Sequence, residues 1–344
     1  MRGLAPEPHR VREGAPRGHA GLKYAAFEGD RRSAGGAVGG IGVEGGHATH
    51  ADAVHAALDG LRPPDAVGHR FVHGGPKLLE PVRIDDVVLK VLREAVPFAP
   101  LHLPPALSAV EAVARRYPHV VQVACFDTSF HRSLPEVARR FPLPATVDAL
   151  GVRRYGFHGL SYEWATSELR LPGRVVVAHL GNGASMCAVK DGVSIDTTMG
   201  LTPAGGFMMG TRSGDLDPGV IVFLLETMSR EKIGRLVDHE SGLLGVSGTT
   251  ADMKTLLASE DPWARLAVEM FCYQARKSVG ALTAALGGLD ALVFTGGIGE
   301  HAAEIRDRIR GGLAHLGNFV VHVIAADEER VIARHVRRLL GVAA

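Results

Sequence analysis

Val175 to Ser185, VVVAHLGNGAS, is the stretch that decides the fold class. Val175 to Leu180 is an unbroken apolar run of strand length, the pattern of a strand covered on both faces rather than one open to water. It stops at Gly181-Asn182-Gly183, where small residues let backbone come close to whatever lies beyond. Downstream, Met186 to Val189 and Val193 to Thr197 flank Lys190-Asp191-Gly192, and Asp-Gly between two β-prone runs predicts a hairpin. A second apolar strand, Leu289 to Thr295, runs into Gly296-Gly297-Ile298-Gly299 and a helix over Ala302 to Leu313. Val220 to Met228 and Trp263 to Leu286 read as helices, and Val320 to Ile324 as a last strand.

The first half repeats the alternation. Leu22 to Phe27 is strand-like and is followed by a glycine-dense stretch, Gly35 to Gly46. His47 to Leu61, Val87 to Val96 and Leu107 to Arg116 are predicted helices, with Pro104-Pro105 breaking the chain before the third. Phe71-Val72 and Val120 to Phe126 are strands. Strands alternating with helices in both halves predict an α/β protein with two sheets, and 344 residues suit two lobes.

Composition narrows the function. Thirty-eight basic and 37 acidic side chains leave a net charge of +1, so no global field favours nucleic acid or an anionic membrane. The three cysteines, Cys125, Cys187 and Cys272, lack C-x-x-C spacing; they suggest neither a disulfide framework nor a thiolate metal site, and fit a reducing cytoplasm. No apolar run approaches the roughly 18 residues that would span a bilayer. Glycine is in surplus, 43 residues, and twelve of them fall between Gly156 and Gly219, which marks that stretch as the loop-rich one.

Those loops carry the chemistry. Arg154-Tyr155-Gly156-Phe157-His158-Gly159 sets a histidine between glycines, and His179 to Ser185 offers backbone N–H groups suited to an anion. Gly210-Thr211-Arg212-Ser213-Gly214-Asp215 frames one arginine with small residues, the side chain expected where phosphate oxygens are gripped in pairs. Gly297-Ile298-Gly299-Glu300-His301-Ala302 matches a dinucleotide fingerprint and follows a strand; an ordinary strand-to-helix turn reads it equally well. Gly40 to Gly45 matches the same pattern without that context.

Nine segments together resemble the acetate/propionate kinase family: GHRFVHGG (68–75), PLHLPP (100–105), CFDTSFH (125–131), RRYGFHG (153–159), HLGNGAS (179–185), DTTMGLTP (196–203), MMGTRSGDLDP (208–218), SGLLGVSG (241–248) and FTGGIGE (294–300). The resemblance runs from about Leu22 to the end. It implies a two-lobed actin-like ATPase (ribonuclease H-like) fold, with mixed sheets flanked by helices. It also implies an acyl kinase that moves phosphoryl from ATP to acetate or another short carboxylate. It places Asp127, His158 and Arg212 in catalysis, and Arg70, Val72, Leu101, His102, Phe157 and Pro203 around the acyl substrate. The nucleotide would meet His179, Leu180, Gly181, Asn182, Gly183, Asp252, Met253, Lys254, Gly297, Ile298, Gly299 and His301, and Mg²⁺ (or Mn²⁺) would meet Glu328. The implied layout is an N-terminal lobe over 1–150, with 1–20 disordered, a C-terminal nucleotide-binding and dimerisation lobe over 151–326, and a helix over 327–344 returning to the first lobe. Implied partners are the carboxylate, ATP or ADP and a second copy of the chain, in the cytoplasm, with neither nucleic acid nor membrane.

The sequence departs from the family at its start. The family opens with a strand entering N-x-G-S-S-S-L-K; here Gly21-Leu22-Lys23-Tyr24 match only its end, and Pro16 stands where the metal-associated Asn would lie. Loss of that strand would remove a central ladder from the first sheet. Leu103 replaces an Asn, Tyr162 the usual His, and Gly205 a Glu. Two other readings therefore stand beside an active acyl kinase: a weakened or inactive nucleotide-binding descendant, and an NAD(P)-dependent oxidoreductase built on Gly297 to Ala302.

Overall fold

The computed structural model describes residues 20–42 and 46–342. The expectations for residues 1–19, Pro16 among them, and for 43–45 and 343–344 lie outside the described residues.

The described residues begin with an antiparallel hairpin, β1 (Ala20–Glu28) and β2 (Arg31–Ile41), in which the part of the glycine-dense stretch up to Ile41 is itself strand. Helix α1 (His50–Leu58) follows, started by Thr49, which accepts from the Asp52 N–H while Asp52 accepts from the Thr49 N–H in return. Strands β3 (Ala66–Phe71) and β4 (Val82–Arg83), helices α2 (Asp86–Glu94) and α3 (Leu103–Arg116) and strand β5 (Val121–Phe126) make the first lobe's sheet and cover. Its order is β3-β5-β4, with β3 and β5 parallel. Pro104 and Pro105 do not break the chain before α3; they sit in its first turn, where a missing N–H costs nothing. Two single-turn helices, α4 (Glu136–Arg139) and α5 (Ala145–Asp148), lead onward.

Helix α6 (Gly159–Leu169) precedes the second sheet, built from β6 (Arg174–Leu180), β7 (Ala184–Lys190) and β8 (Val193–Thr197). Then come α7 (Pro218–Leu225), α8 (Arg230–His239), α9 (Gly242–Ser247), α10 (Met253–Leu257) and the 25-residue α11 (Pro262–Leu286). Strand β9 (Ala291–Thr295), helices α12 (Gly296–His301) and α13 (Ala303–Gly311), strand β10 (Val320–Val323) and helix α14 (Glu328–Leu340) complete the chain. The order β10-β9-β6-β7-β8 makes a mixed sheet, parallel across β10, β9 and β6 and antiparallel beyond.

The unbroken apolar runs are explained by helices on both faces. Val176, Ala178, Leu180 and Leu292 point into a core closed by Phe271, Val279 and Leu282 of α11. Val175, Val177 and Val293 point the other way, onto Tyr162 and Ala165 of α6. In the first lobe Phe71 and Phe126 pack under Leu92, Leu103 and Val110. Helix α14 returns to the opposite face, where Val331 and Val336 meet Val123 and Cys125.

Among the described residues no strand pairs β1 with β3, so each keeps one open edge. The interval between them is walled by Val54, Ala57 and Val113 on one side and Ile332, Val336 and Leu340 on the other. It runs directly into the cleft between the lobes.

Candidate active site

Two parallel strands bring the first functional group together. Arg70 lies opposite Cys125 in the β3–β5 register, and the chain leaves β5 at Asp127, whose N–H donates to the Phe71 carbonyl at 2.9 Å. Both side chains therefore stand at the C-terminal ends of parallel strands, where α/β sheets build ligand crevices. Arg70 donates through Nε and Nη2 to the two oxygens of Asp127 at 2.9 and 2.7 Å, and Nη1 lies 3.0 Å from Glu328 Oε2. Burial pushes the Asp127 carboxyl up, and the Arg70 guanidinium opposes that shift. Arg70 is held charged, above its ordinary range: burial works against the cation, but Asp127 and Glu328 outweigh it.

The Asp127 carbonyl accepts the Gly159 N–H at 2.8 Å, tying the next loop to the same strand end. His158 sits in that loop with φ 57°, a left-handed conformation that a non-glycine residue holds only when its surroundings fix it. Its Nδ1 lies 2.8 Å from Ser185 Oγ, and its ring stacks on His179, centroids 4.3 Å apart. His179 and Ser185 are paired across β6 and β7, so the hairpin presents both to His158. Ser161 Oγ is 2.8 Å from His179 Nδ1. Burial keeps His158 well below the usual histidine range, and pushes His179 down to about 4, with Arg70 adding to the second shift. Both shifts favour the neutral ring.

The hairpin turn carries the second arginine. The Asn182 carbonyl accepts the Gly210 N–H at 2.9 Å, docking the Gly210 to Asp215 loop onto the turn. Arg212 then reaches Gly183: a Cβ placed there would stand 3.2 Å from Arg212 Nη1 and 3.3 Å from His158 Nε2. Only glycine leaves that point open. Arg212 donates to the Pro203 carbonyl at 3.2 Å and forms no ion pair with any carboxylate among the described residues. Burial pulls its pKa down. A half-buried guanidinium with unspent donors, beside an imidazole nitrogen, is a receptor for an oxyanion.

The cleft lined by Arg70, His158, His179 and the Gly181 to Gly183 turn encloses about 2660 Å³ because it continues between β1 and β3. Its wall includes Arg70, His158, His179, Gly181, Asn182, Gly183, Asp252, Met253, Lys254, Gly297, Ile298, His301 and Glu328 from the residues singled out in the sequence. Leu180, fully buried in the second lobe's core, and Gly299, packed against β9, are not on that wall, and neither are Asp127, Arg212, Val72, Leu101, His102, Phe157 and Pro203. Asp252 also has an ordinary task, capping α10 by accepting from the Thr255 N–H at 2.9 Å.

Around the expected acyl group, Phe157 is buried, edge-on to His73 at 5.6 Å, and Val72 packs on the same core. Leu101 stands 53% exposed. His102, at the start of α3, feels Arg212, Asp127 and Arg70, and is pushed down to about 4, chiefly by burial. Sequence reasoning gave no role to Ser161, Ser185 or Glu300. Glu300 accepts from the Gly296 and Ala326 N–H groups, both at 3.0 Å, and so joins the β9–α12 turn to the segment leading to Glu328. Only the register and the loop packing expose these links.

Among the described residues no group of three or more His, Cys, Asp or Glu side chains could hold a metal ion. Glu328 stands on the cleft wall at the first turn of α14, beside Glu329, and is paired with Arg70. That donor set suits Mg²⁺, which keeps several waters and takes one or two carboxylates beside nucleotide phosphates.

Two α/β lobes flanking a cleft, with Arg70 and His158 on its wall and Arg212 beside Gly183, suit a phosphotransferase of the kinase class. Residues 47–337 match the model of the Acetokinase family. The acetate kinase of Rhodopseudomonas palustris (strain TIE-1) is 51% identical over 307 residues, 80% of this chain and 77% of that protein. The acetate kinase of Porphyromonas gingivalis superposes with a TM-score of 0.85 at 35% identity, covering 94% of this chain and 98% of that one. A propionate kinase from Francisella tularensis superposes with a TM-score of 0.86 at 33% identity, covering 93% and 97%. The chain belongs to the acetokinase family, and its fold is the two-lobed α/β ATPase-like one.

Proposed function

We propose that this chain transfers the γ-phosphoryl group of ATP reversibly to acetate, or to another short carboxylate, giving an acyl phosphate and ADP. A carboxylate oxygen forms the new bond to γ-phosphorus while the bond to the β,γ-bridging oxygen breaks; that electron pair leaves with ADP, and no proton moves. Such a step needs in-line placement and positive charge on the equatorial oxygens more than covalent help. The observation that carries the reading is the convergence of Arg212 and His158 at Gly183, with Arg212 forming no ion pair among the described residues.

In this reading Arg212 and His158 Nε2 grip the transferring group. Arg70 orients the carboxylate with the donors that Asp127 and Glu328 leave unused, and Asp127 fixes the guanidinium plane. Val72, Phe157 and Pro203 border the substrate methyl group, with His102 nearby. The adenosine phosphates run past His179 to Gly183 toward Asp252 to Lys254 and Gly297, Ile298 and His301. Mg²⁺ (or Mn²⁺), entering with the nucleotide beside Glu328, supplies charge neutralisation on its phosphates. Acetate and propionate differ by one methylene, worth about 1–3 kcal/mol in discrimination, so preference is modest.

The lobes are assigned as 1–150 and 151–326, with 327–344 returning to the first, a division supported by the separate cores. A homodimer is supported by α7, whose Val222 and Phe223 are 65% and 71% exposed beside Leu225. A cytoplasmic location is supported by three free, buried cysteines. No helix among the described residues is long and apolar enough to cross a membrane.

A hydroxamate assay with ATP, Mg²⁺ and acetate, propionate or butyrate tests the reading. Acyl phosphate from at least one acid is the expected result. Its absence alongside measurable ADP binding would return the inactive descendant.

A further inference from the structure

We propose that Tyr162 is a positioning residue which, through Ser185, holds His158 as the tautomer carrying its proton on Nε2. The inference rests on the reading of His158 as a phosphoryl contact, but its first readout does not.

Tyr162 lies on the inner face of α6 and is fully buried. Its hydroxyl is 2.5 Å from Ser185 Oγ, the only hydrogen-bond partner it has among the described residues. A buried phenol must place its proton on an acceptor, and burial raises this one well above its ordinary pKa, so it stays protonated. Ser185 Oγ therefore accepts from Tyr162. Ser185 is itself fully buried and owns one proton, and its other side-chain partner in the site is His158 Nδ1 at 2.8 Å. The hydroxyl of Ser185 must then donate to Nδ1, which leaves the ring proton on Nε2. The reverse order, Nδ1–H donating to Ser185, would give Ser185 two incoming donors and strand its own proton in a dry site.

Direction matters because of where Nε2 points. It faces the space beside Gly183 that Arg212 Nη1 also faces. With the proton there, His158 is a donor to an oxyanion; with the proton on Nδ1, Nε2 would present a lone pair to negative charge. The His179 ring on one face of His158, fixed by Ser161, prevents the imidazole from turning out of line. The residue that sequence comparison marks as a departure thus closes a directed chain: Tyr162 O–H to Ser185, Ser185 O–H to His158 Nδ1, His158 Nε2–H to the substrate.

The full chain carrying ¹⁵N-labelled histidine, with His158 assigned through His158→Gln, reads the tautomer by two-bond ¹H–¹⁵N correlation. Wild type should show the proton on Nε2. Tyr162→Phe keeps the shape but frees Ser185 to accept from Nδ1, so both tautomers should appear. Turnover should fall about tenfold, a fraction of the loss from removing an oxyanion donor outright, while KM for acetate and for ATP moves little. Ser185→Ala should act in the same direction, and serves if Tyr162→Phe folds poorly. A wild-type proton on Nδ1, an unshifted tautomer in the folded variants, or a shifted tautomer with unchanged turnover overturns the proposal. Failure of wild type to make any acyl phosphate would instead sink the function, with the tautomer still decided by the spectrum.

Discussion

At the scale of single residues the two arginines divide their labour. Arg70 gives two hydrogen bonds to Asp127 and is ion-paired with Glu328, whereas Arg212 meets only the Pro203 carbonyl and the Met209 sulfur and pairs with no carboxylate among the described residues. Replacing Arg212 therefore breaks no ion pair. Arg212→Ala should keep its melting temperature and ADP affinity while turnover drops about 10³- to 10⁵-fold, the worth of an arginine on a phosphoryl group. Arg212→Lys should recover little, since a point charge does not reproduce the planar fork. Turnover within a few-fold of wild type in either variant would remove Arg212 from the proposed mechanism. Asp127→Ala should behave differently. It leaves Arg70 on the far side of the pair with only Glu328, so KM for the carboxylate should rise and thermal stability fall together, measurable in one preparation by kinetics and calorimetry.

At the scale of elements, the fit of α14 onto β3 depends on a glycine. A Cβ at Gly68 would lie 2.3 Å from Ile332 Cγ2 and 2.8 Å from Val336 Cγ2. Gly68→Ala should destabilise by roughly 1–3 kcal/mol through overpacking, and Ile332→Ala in the same chain should relieve part of that loss. Additive losses in the double variant, read by denaturant unfolding, would show that the helix does not seat there. Helix α7 presents the opposite situation, apolar side chains with nothing over them: Val222, Phe223 and Leu225 are all exposed. Phe223→Asp should shift a dimer toward monomer in sedimentation velocity while acyl-phosphate synthesis per chain persists. An unchanged sedimentation coefficient would move the proposed interface elsewhere.

At the scale of the whole molecule, burial has neutralised a set of histidines drawn from both lobes. His69, His73, His102, His131 and His179 are each pushed down to about 4, chiefly by desolvation. Unfolded, each would titrate near 6.5. Between about 6.5 and 4 the unfolded chain binds more protons than the folded one, so stability must fall as pH falls through that window. The melting temperature should drop progressively from pH 7 to pH 4.5, and Gln at His131 should flatten part of the slope. A melting temperature constant over that range would mean these rings are protonated in the folded state.

The amino-acid sequence by itself determined the α/β class, most element positions and the family, because those rest on local signals. Apolar runs such as Val175 to Leu180 report burial on both faces, and loops such as HLGNGAS and GTRSGD keep their identity whatever surrounds them. It also supplied the site candidates, but not their partners or directions. Read locally, the glycine-dense stretch hid a strand, Pro104-Pro105 looked like a break, and Leu180 and Gly299 looked like cleft residues. Tertiary structure decided the rest, because hydrogen-bond partners far apart in sequence cannot be read from spacing. Arg70 meets Asp127 through the β3–β5 register, Arg212 meets Gly183 through loop docking, and Tyr162 of α6 reaches His158 only through a serine on β7. Which atom of His158 holds the proton is a property of that three-residue contact, and no single segment of the chain contains it.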